Sequence, residues 1–539
     1  MMKSFTSTFY AFFLLLTHFI QASCPHCNPC GTVPFPPNTG LVTPDPILDS
    51  PDVWRFESEP NLRPMKVTVS TNKSAKSSGL IFLAPYANSS DATYGQSGAL
   101  ILDDLGNPVW FRPLSSPNLM NTDFRVQTLN GKSVLTFWQG TIATAPGYTN
   151  LASGSPEPNG CFYILDNTYR VIKTVKAQHG FVCNLHEFLI TPDNTALCLC
   201  SKKVPMDLTS YGGPQDGFIY DVAVQEIDLN RDKLVFFWNA LDHIPLTDSY
   251  LPASNAFDFE NVWDVYHLNA IGLTDNKDEI IVSGRNTWTI YKINKTTGKI
   301  AWHLGGKQNN FTMGPGTHFS WQHDPRFLSN HTMSLFDDNC CESSTIPPQT
   351  PPAHGLTLKL NFENMTAILD RTYFHDPLIQ VSSQGSVQNL DHGNKFIGWG
   401  DTQYYSEYKK EGNTVENPSL NTVYRAKMPG NNITYRAFRN EWTGKPFYSP
   451  AIAINAIDHL INIYTSWNGS TQTTAWKVLG GDHPDHLHKI NIVKKSGFET
   501  LIQVKDIGPY FQVKALNKRG KVIGKSNIVF FRPGDTPIL

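Results

Sequence analysis

From about residue 61 to residue 445 the chain repeats one pattern: an apolar run alternating with period two, a short turn carrying Asp, Asn or Gly, a second apolar run, and often an aromatic at its close. The second halves of six copies are Gly98–Trp110, Cys161–Leu165 with its turn at Asp166 and Asn167, Val224–Trp238, Thr289–Trp302, Leu356–Asp370 and Val423–Phe438. Each reads as a hairpin, because alternate side chains of a strand face opposite ways and the turn residues tolerate tight reversals. Matching first halves are Val134–Trp138, Ala196–Cys200, Glu279–Ser283, Thr332–Phe336 and Lys395–Trp399. Units of about four strands returning every ~45–65 residues form either a stacked solenoid or a radial ring. Six such units favour the ring, because closure removes exposed sheet edges. The predicted fold class is all-β, a six-bladed β-propeller over 61–445.

Composition agrees. Only 17 % of residues are charged, while 38 Gly, 37 Pro and an aromatic content of 12 % suit short strands joined by many turns. A chain of 539 residues also exceeds one ordinary core. Over 446–539 the register changes: Leu460–Trp467, Thr474–Leu479, Phe498–Val504, Tyr510–Ala515 and Asn527–Phe531 are short strands at sandwich spacing. They predict a small immunoglobulin- or fibronectin-like β-sandwich. A net charge of −2 without long runs of one sign indicates neither nucleic acid nor an anionic membrane surface as partner.

The first 22 residues have the charged start (Lys3), apolar middle (about Phe9 to Ile20) and small-residue exit (Ala22, Ser23) of a signal peptide. Cleavage predicts a secreted or endomembrane-lumenal protein with no membrane span; an uncleaved signal anchor is the rival. Residues 23–60 carry Pro34, Pro36, Pro37, Pro44, Pro46 and Pro51, so they read as a leader or arm and not as an interior strand. Nine cysteines leave at least one without an intrachain partner. Cys24, Cys27 and Cys30, with His26 between, hold either a metal or disulfides. Cys183 pairs with Cys198 or Cys200, or all three are simply buried, and a ring between neighbouring Cys340 and Cys341 would be strained. Asn72, Asn88, Asn294, Asn310, Asn330, Asn364, Asn432 and Asn468 stand in N-x-S/T sequons and are glycosylation candidates.

The innermost strand of each propeller repeat faces the channel, and its alignment on the following turn yields the candidate site. His186 stands seven residues before Asp193, His267 eight before Asp275, and His323 seven before Asn330. Three consecutive repeats thus present imidazole in one register. The corresponding strands at 123–127 and 386–388 lack the histidine, so the fold itself does not require it. Arg285 follows the second strand of the repeat carrying His267, and a planar guanidinium there suits a tetrahedral oxyanion; pairing with a neighbouring repeat's carboxylate is its structural alternative. Three imidazoles also make a facial metal set, but no carboxylate shell is legible around them, and no metal is assigned. His483, His486 and His488 near the C-terminus read as a solvated loop.

The runs Ser58–Pro64, Gly79–Tyr86, Val109–Phe111, Leu135–Gly140, Trp263–Asn269, Gly298–Gly306 and Phe319–Asp324, with Ser466–Gly469 and Gly497–Thr500, resemble the eukaryotic, fungal-type branch of the arylsulfotransferase superfamily over roughly 58–530. The resemblance implies an enzyme that moves a sulfuryl group from an aryl sulfate to a phenol through a sulfohistidine, with no nucleotide donor and no cofactor. It implies His323 as nucleophile, with His186, His267 and Arg285 holding the sulfuryl oxygens and Asn269 as a further substrate donor. Arg285 is then expected to lower the pKa of its histidine neighbours and keep His323 neutral; loss of one stabilising donor costs about 10²–10³ in turnover. Two rival functions are a quinoprotein-like oxidoreductase, suggested by Lys295–Trp302, and a non-catalytic propeller scaffold binding glycan or protein.

Overall fold

A computed structural model describes residues 45–87, 92–116, 119–142, 158–258, 261–341, 352–457, 460–505 and 508–531. The signal segment, the Cys24, Cys27 and Cys30 cluster and the Asn88 sequon lie outside them. The protein is all-β: among the described residues helix is limited to four short 3-10 turns, and no helix is long and apolar enough to cross a membrane.

Six sheets of four or five strands succeed one another along the chain. Each of the second to sixth starts on an inner strand: Met120–Leu129, Val182–Ile190, Leu268–Leu273, His323–Ser329 and Ser386–Asn389. The first sheet takes its inner strand, Phe438–Asn440, from the far end of the chain and pairs it with Leu80–Leu83. The sixth takes its outer strand, Thr68–Asn72, from the near end and pairs it with Thr422–Lys427. The last sequence repeat is therefore not a hairpin. Residues 423–427 and 433–438 belong to different sheets, and Asn432–Ile433 pairs instead with Tyr86–Ala87.

Apolar side chains bind each sheet to the next. Trp110 of the first packs with Phe124 and Phe162 of the second, and these with Phe188 of the third. Leu199 of the third and Ile280 of the fourth belong to one buried cluster, Ile290 of the fourth and Leu356 of the fifth to another, and Tyr373 of the fifth and Ile397 of the sixth to a third. Tyr405 and Tyr424 of the sixth share a buried cluster with Ile81 and Leu100 of the first.

After residue 446 a three-stranded sheet, Ala451–Ile457, Leu460–Ser466 and Glu499–Val504, shares a core with a sheet built on Ala475–Gly481 and Tyr510–Leu516. Trp476, Ile463 and Phe511 are buried between them. The proline-rich arm crosses to this region: the Phe56 ring lies tilted against Phe498 with centroids 4.4 Å apart, and the Ser58 hydroxyl donates to Glu499 at 2.7 Å.

Cys183, Cys198 and Cys200 are free and buried, and burial pushes the Cys183 thiol up to about 12. Cys340 and Cys341 form the vicinal disulfide ring that their adjacency made a strained option. The backbone accommodates it through left-handed conformations at Asn339 and Cys341, φ 49° and 63°. Two sequons are structural positions. Asn432 is 1 % exposed and bridges both backbone groups of Tyr94, and both amide functions of Asn468 bond Phe111. Asn72, Asn310, Asn330 and Asn364 are exposed, and Asn294 is half-buried. His483, His486 and His488 are also exposed.

His375, packed on Tyr404 and Trp399, is held down to about 4, chiefly by burial. The unfolded chain binds this proton from pH 6.5 downward while the folded one refuses it until about 4, so the histidine erodes stability as pH falls through that window. Stability of a His375→Phe variant should gain on the wild type between pH 6.5 and 4, by up to ~1.4 kcal/mol per pH unit; parallel melting curves across that range exclude it.

Candidate active site

Inner strands of four sheets carry a bulge near their start, between Thr122 and Arg125, Cys183 and Phe188, Leu268 and Ala270, and His323 and Arg326. A bulge inserts a residue and re-aims the side chains beside it; Asp123, His267 and Asp324 take φ of 52°, 46° and 53° there. This is how histidines offset by one residue from their turns arrive at one place. The rings of His186 and His267 lie 4.8 Å apart, and Tyr435 is 5.5 Å from His186 and 6.5 Å from His323.

Each imidazole has its Nδ1 against a side-chain oxygen: His186 against Asn184, His267 against Asp264, and His323 at 3.0 Å from Asp338 Oδ2. Nε2 of His323 accepts a hydrogen bond from the backbone N–H of Gln384 at 3.2 Å. The Gln384 side chain is itself fixed by the Tyr86 hydroxyl at 2.6 Å. His323 is 1 % exposed. Burial, and then the positive charge of Arg285, hold its pKa well below the ordinary histidine range; burial and His267 do the same for His186. Arg285 was the expected cause, but burial is the larger one.

Arg285 is buried over the Trp321 ring, 4.8 Å from its centroid. It donates to Ser382 O at 2.8 Å and Asn286 Oδ1 at 3.1 Å, and Asp338, Asp264 and Asp401 counter its charge. Asn269 is committed differently from the substrate donor expected: its Nδ2 donates to Gln322 O at 2.8 Å, fixing the residue before His323.

Beneath the imidazoles lies a cluster of six charges: Asp123, Glu187 and Asp324 against Arg125, Arg326 and Arg436. Arg436, wholly buried, reaches Asp123 at 2.9 Å, Glu187 at 3.2 Å and Asp324 at 3.6 Å. Arg125 and Arg326 each bond Glu187, at 2.5 and 2.6 Å. The three guanidinium groups hold Glu187 well below the usual carboxylate range despite its burial. This layer ties the inner strands to one another, because Val387 N–H of the sixth also donates to Asp324 and Gln388 of the sixth to Arg439 O of the first. A cavity of about 690 Å³ lined by Arg125, Gln127, Thr191 and Asn194 lies at the turn end of the same strands.

Tyr435, Asp338, Asp264 and the charge cluster were not found in the sequence. One signal was present, since an acid follows the histidine in both His186-Glu187 and His323-Asp324. Tyr435 and Arg436 were hidden by the misread sixth hairpin.

The architecture and the site together define an all-β protein of successive packed sheets whose inner strands bury imidazoles and a guanidinium near one another. The family model for arylsulfotransferase (ASST) matches residues 125–418, more than half of the chain, and the chain belongs to that family. No curated protein matches. Among solved structures it is similar to a Bacteroides caccae protein of unknown function, at 12 % identity over 67 % of this chain and 100 % of that one, TM-score 0.36. It is also similar to the dihydro-heme d1 dehydrogenase NirN (9 % identity, 85 % and 83 % covered, TM-score 0.31) and to Kluyveromyces lactis Hsv2 (10 %, 63 % and 94 %, TM-score 0.29).

Proposed function

We propose that the chain is a secreted, fungal-type arylsulfotransferase, built as a closed six-bladed propeller over 61–445 with a C-terminal sandwich over 446–539 and delivered by a signal peptide at 1–22. In this reading His323 Nε2 attacks the sulfur of an aryl sulfate. The N–S bond forms as the S–O bond to the aryl group breaks and the phenolate leaves with that electron pair. An incoming phenol oxygen then attacks the same sulfur, the N–S bond breaks, and the phenol's proton passes to a base. Sulfuryl transfer resembles phosphoryl transfer in needing in-line placement and positive donors around the equatorial oxygens.

The observation that carries the reading is the gathering of His186, His267, His323, Tyr435 and Arg285 at one buried spot. Arg285, permanently cationic, is assigned to the sulfuryl oxygens. His267 has its Nδ1 against the carboxylate of Asp264, which orients the ring, so it is assigned the proton exchange with leaving and entering phenols. His186 directs its Nδ1 to Asn184 and is assigned to orient the substrate through Nε2. Asn269 serves by placing His323.

Incubation with 4-nitrophenyl sulfate and a phenol tests this. Acceptor-dependent release of nitrophenolate, with a sulfo-adduct mapping to the peptide of His323, is expected; no release, or an adduct elsewhere, rejects it. One observation favours a quinoprotein-like oxidoreductase instead, a class whose cofactor packs against a vicinal cysteine pair: the Cys340–Cys341 disulfide lies beside Ser382 O, the acceptor of Arg285. Visible absorbance from a bound quinone would select that reading.

A further inference from the structure

We propose that Asp338 is the positioning residue of this centre, holding His323 as its Nδ1–H tautomer so that Nε2 is the nitrogen that bonds to sulfur. The catalytic part of this inference rests on the sulfuryl-transfer reading; the tautomer does not.

The argument begins at Gln384. A backbone amide can only donate, so His323 Nε2, 3.2 Å from that nitrogen, is an acceptor. A neutral imidazole carries one proton, which therefore sits on Nδ1. Nδ1 faces Asp338 Oδ2 at 3.0 Å. The contact is a close approach and not a full hydrogen bond, so it acts as a short-range electrostatic contact between Nδ1–H and the carboxyl oxygen. Whether charged or protonated, a carboxyl presents an oxygen acceptor there.

The backbone on either side of Asp338 is firmly placed. Asp337 Oδ1 accepts from the backbone N–H of Ser320 at 3.0 Å and of Asn339 at 3.1 Å, and Asn339 N–H donates to Ser320 O. The following disulfide closes the turn. When the Nε2 lone pair forms the N–S bond, Nδ1 keeps its proton and the ring becomes cationic. The carboxyl oxygen beside Nδ1 is where that charge meets a counter-dipole. Forming the bond also means surrendering the Gln384 contact, which leaves its N–H able to donate to a sulfuryl oxygen.

The test uses the full chain labelled with ¹⁵N-histidine. Wild-type His323 is expected to carry its proton on Nδ1 at neutral pH. Asp338→Ala is expected to mix the tautomers and lower kcat about 10²- to 10⁴-fold with KM within threefold, while Asp338→Asn, which keeps an oxygen acceptor, stays closer to wild type. The pH profile of kcat should shift only in the alanine variant, with Arg285, Asp401 and Asp337 facing Asp338, and His186, His267 and Arg436 facing His323, unchanged. A wild-type proton on Nε2, or an alanine variant with wild-type tautomer and kcat, overturns the proposal. If Asp338→Ala does not fold, the wild-type spectrum still decides. A wild type that never turns over 4-nitrophenyl sulfate rejects sulfuryl transfer without touching the tautomer assignment.

Discussion

Replacing His323 by alanine should reduce turnover of an aryl sulfate by about 10⁴-fold or more, the loss expected when a covalent nucleophile is removed outright. No neighbouring group substitutes for it. His186 and His267 approach one another at 4.8 Å, but neither has the paired Asp338 and Gln384 contacts that fix His323. The substitution also strands the Gln384 N–H in a buried space, at about 1–3 kcal/mol for an unsatisfied group. Melting curves must therefore accompany the kinetics. A folded His323→Ala protein with wild-type kcat removes the mechanism and leaves only the architecture.

Arg436→Met should cost about 3–5 kcal/mol of stability, because it takes one cation out of a buried cluster and leaves two guanidinium groups to answer three carboxylates. The cluster balances three acids against three guanidinium groups, and Arg436 alone touches all three acids. Removing it leaves one uncompensated negative charge in a fully buried hub. Adding Asp123→Asn should recover part of the loss, since it restores the balance, and the two effects should be non-additive because the groups are in contact. Denaturant midpoints of the single and double variants measure this; an Arg436→Met protein as stable as the wild type shows that water or a rearranged partner already compensates the carboxylates.

Local pattern was enough to read the hairpins and the shared register of the histidines, because both depend on spacings of a few residues. The sixth repeat failed for the opposite reason. Residues 423–427 and 433–438 look like one more hairpin, yet their partners, Thr68–Asn72 and Leu80–Leu83, are more than 350 positions away, and ring closure leaves no trace in local alternation. Tyr435 was lost with that error. Asp338 was missed because it lies at the end of a second strand, where only the turn into Cys340–Cys341 directs it back to His323. Asn432 shows the limit of motifs: its sequon is intact, but the asparagine is needed to bind Tyr94. The charge cluster was half visible, in the acids that follow two of the histidines, while the cations that answer them come from other sheets.

Because Phe438–Asn440 finishes a sheet that begins at Leu80–Leu83, a chain emerging from the ribosome spends most of its synthesis as an unfinished circle. His323 emerges on the order of ten seconds before Tyr435 and Arg436 at typical elongation rates. During that interval the imidazoles exist without a roof or a floor. In the sulfuryl-transfer reading, a nascent or truncated product that lacks Tyr435 and Arg436 should therefore be inert toward sulfate esters.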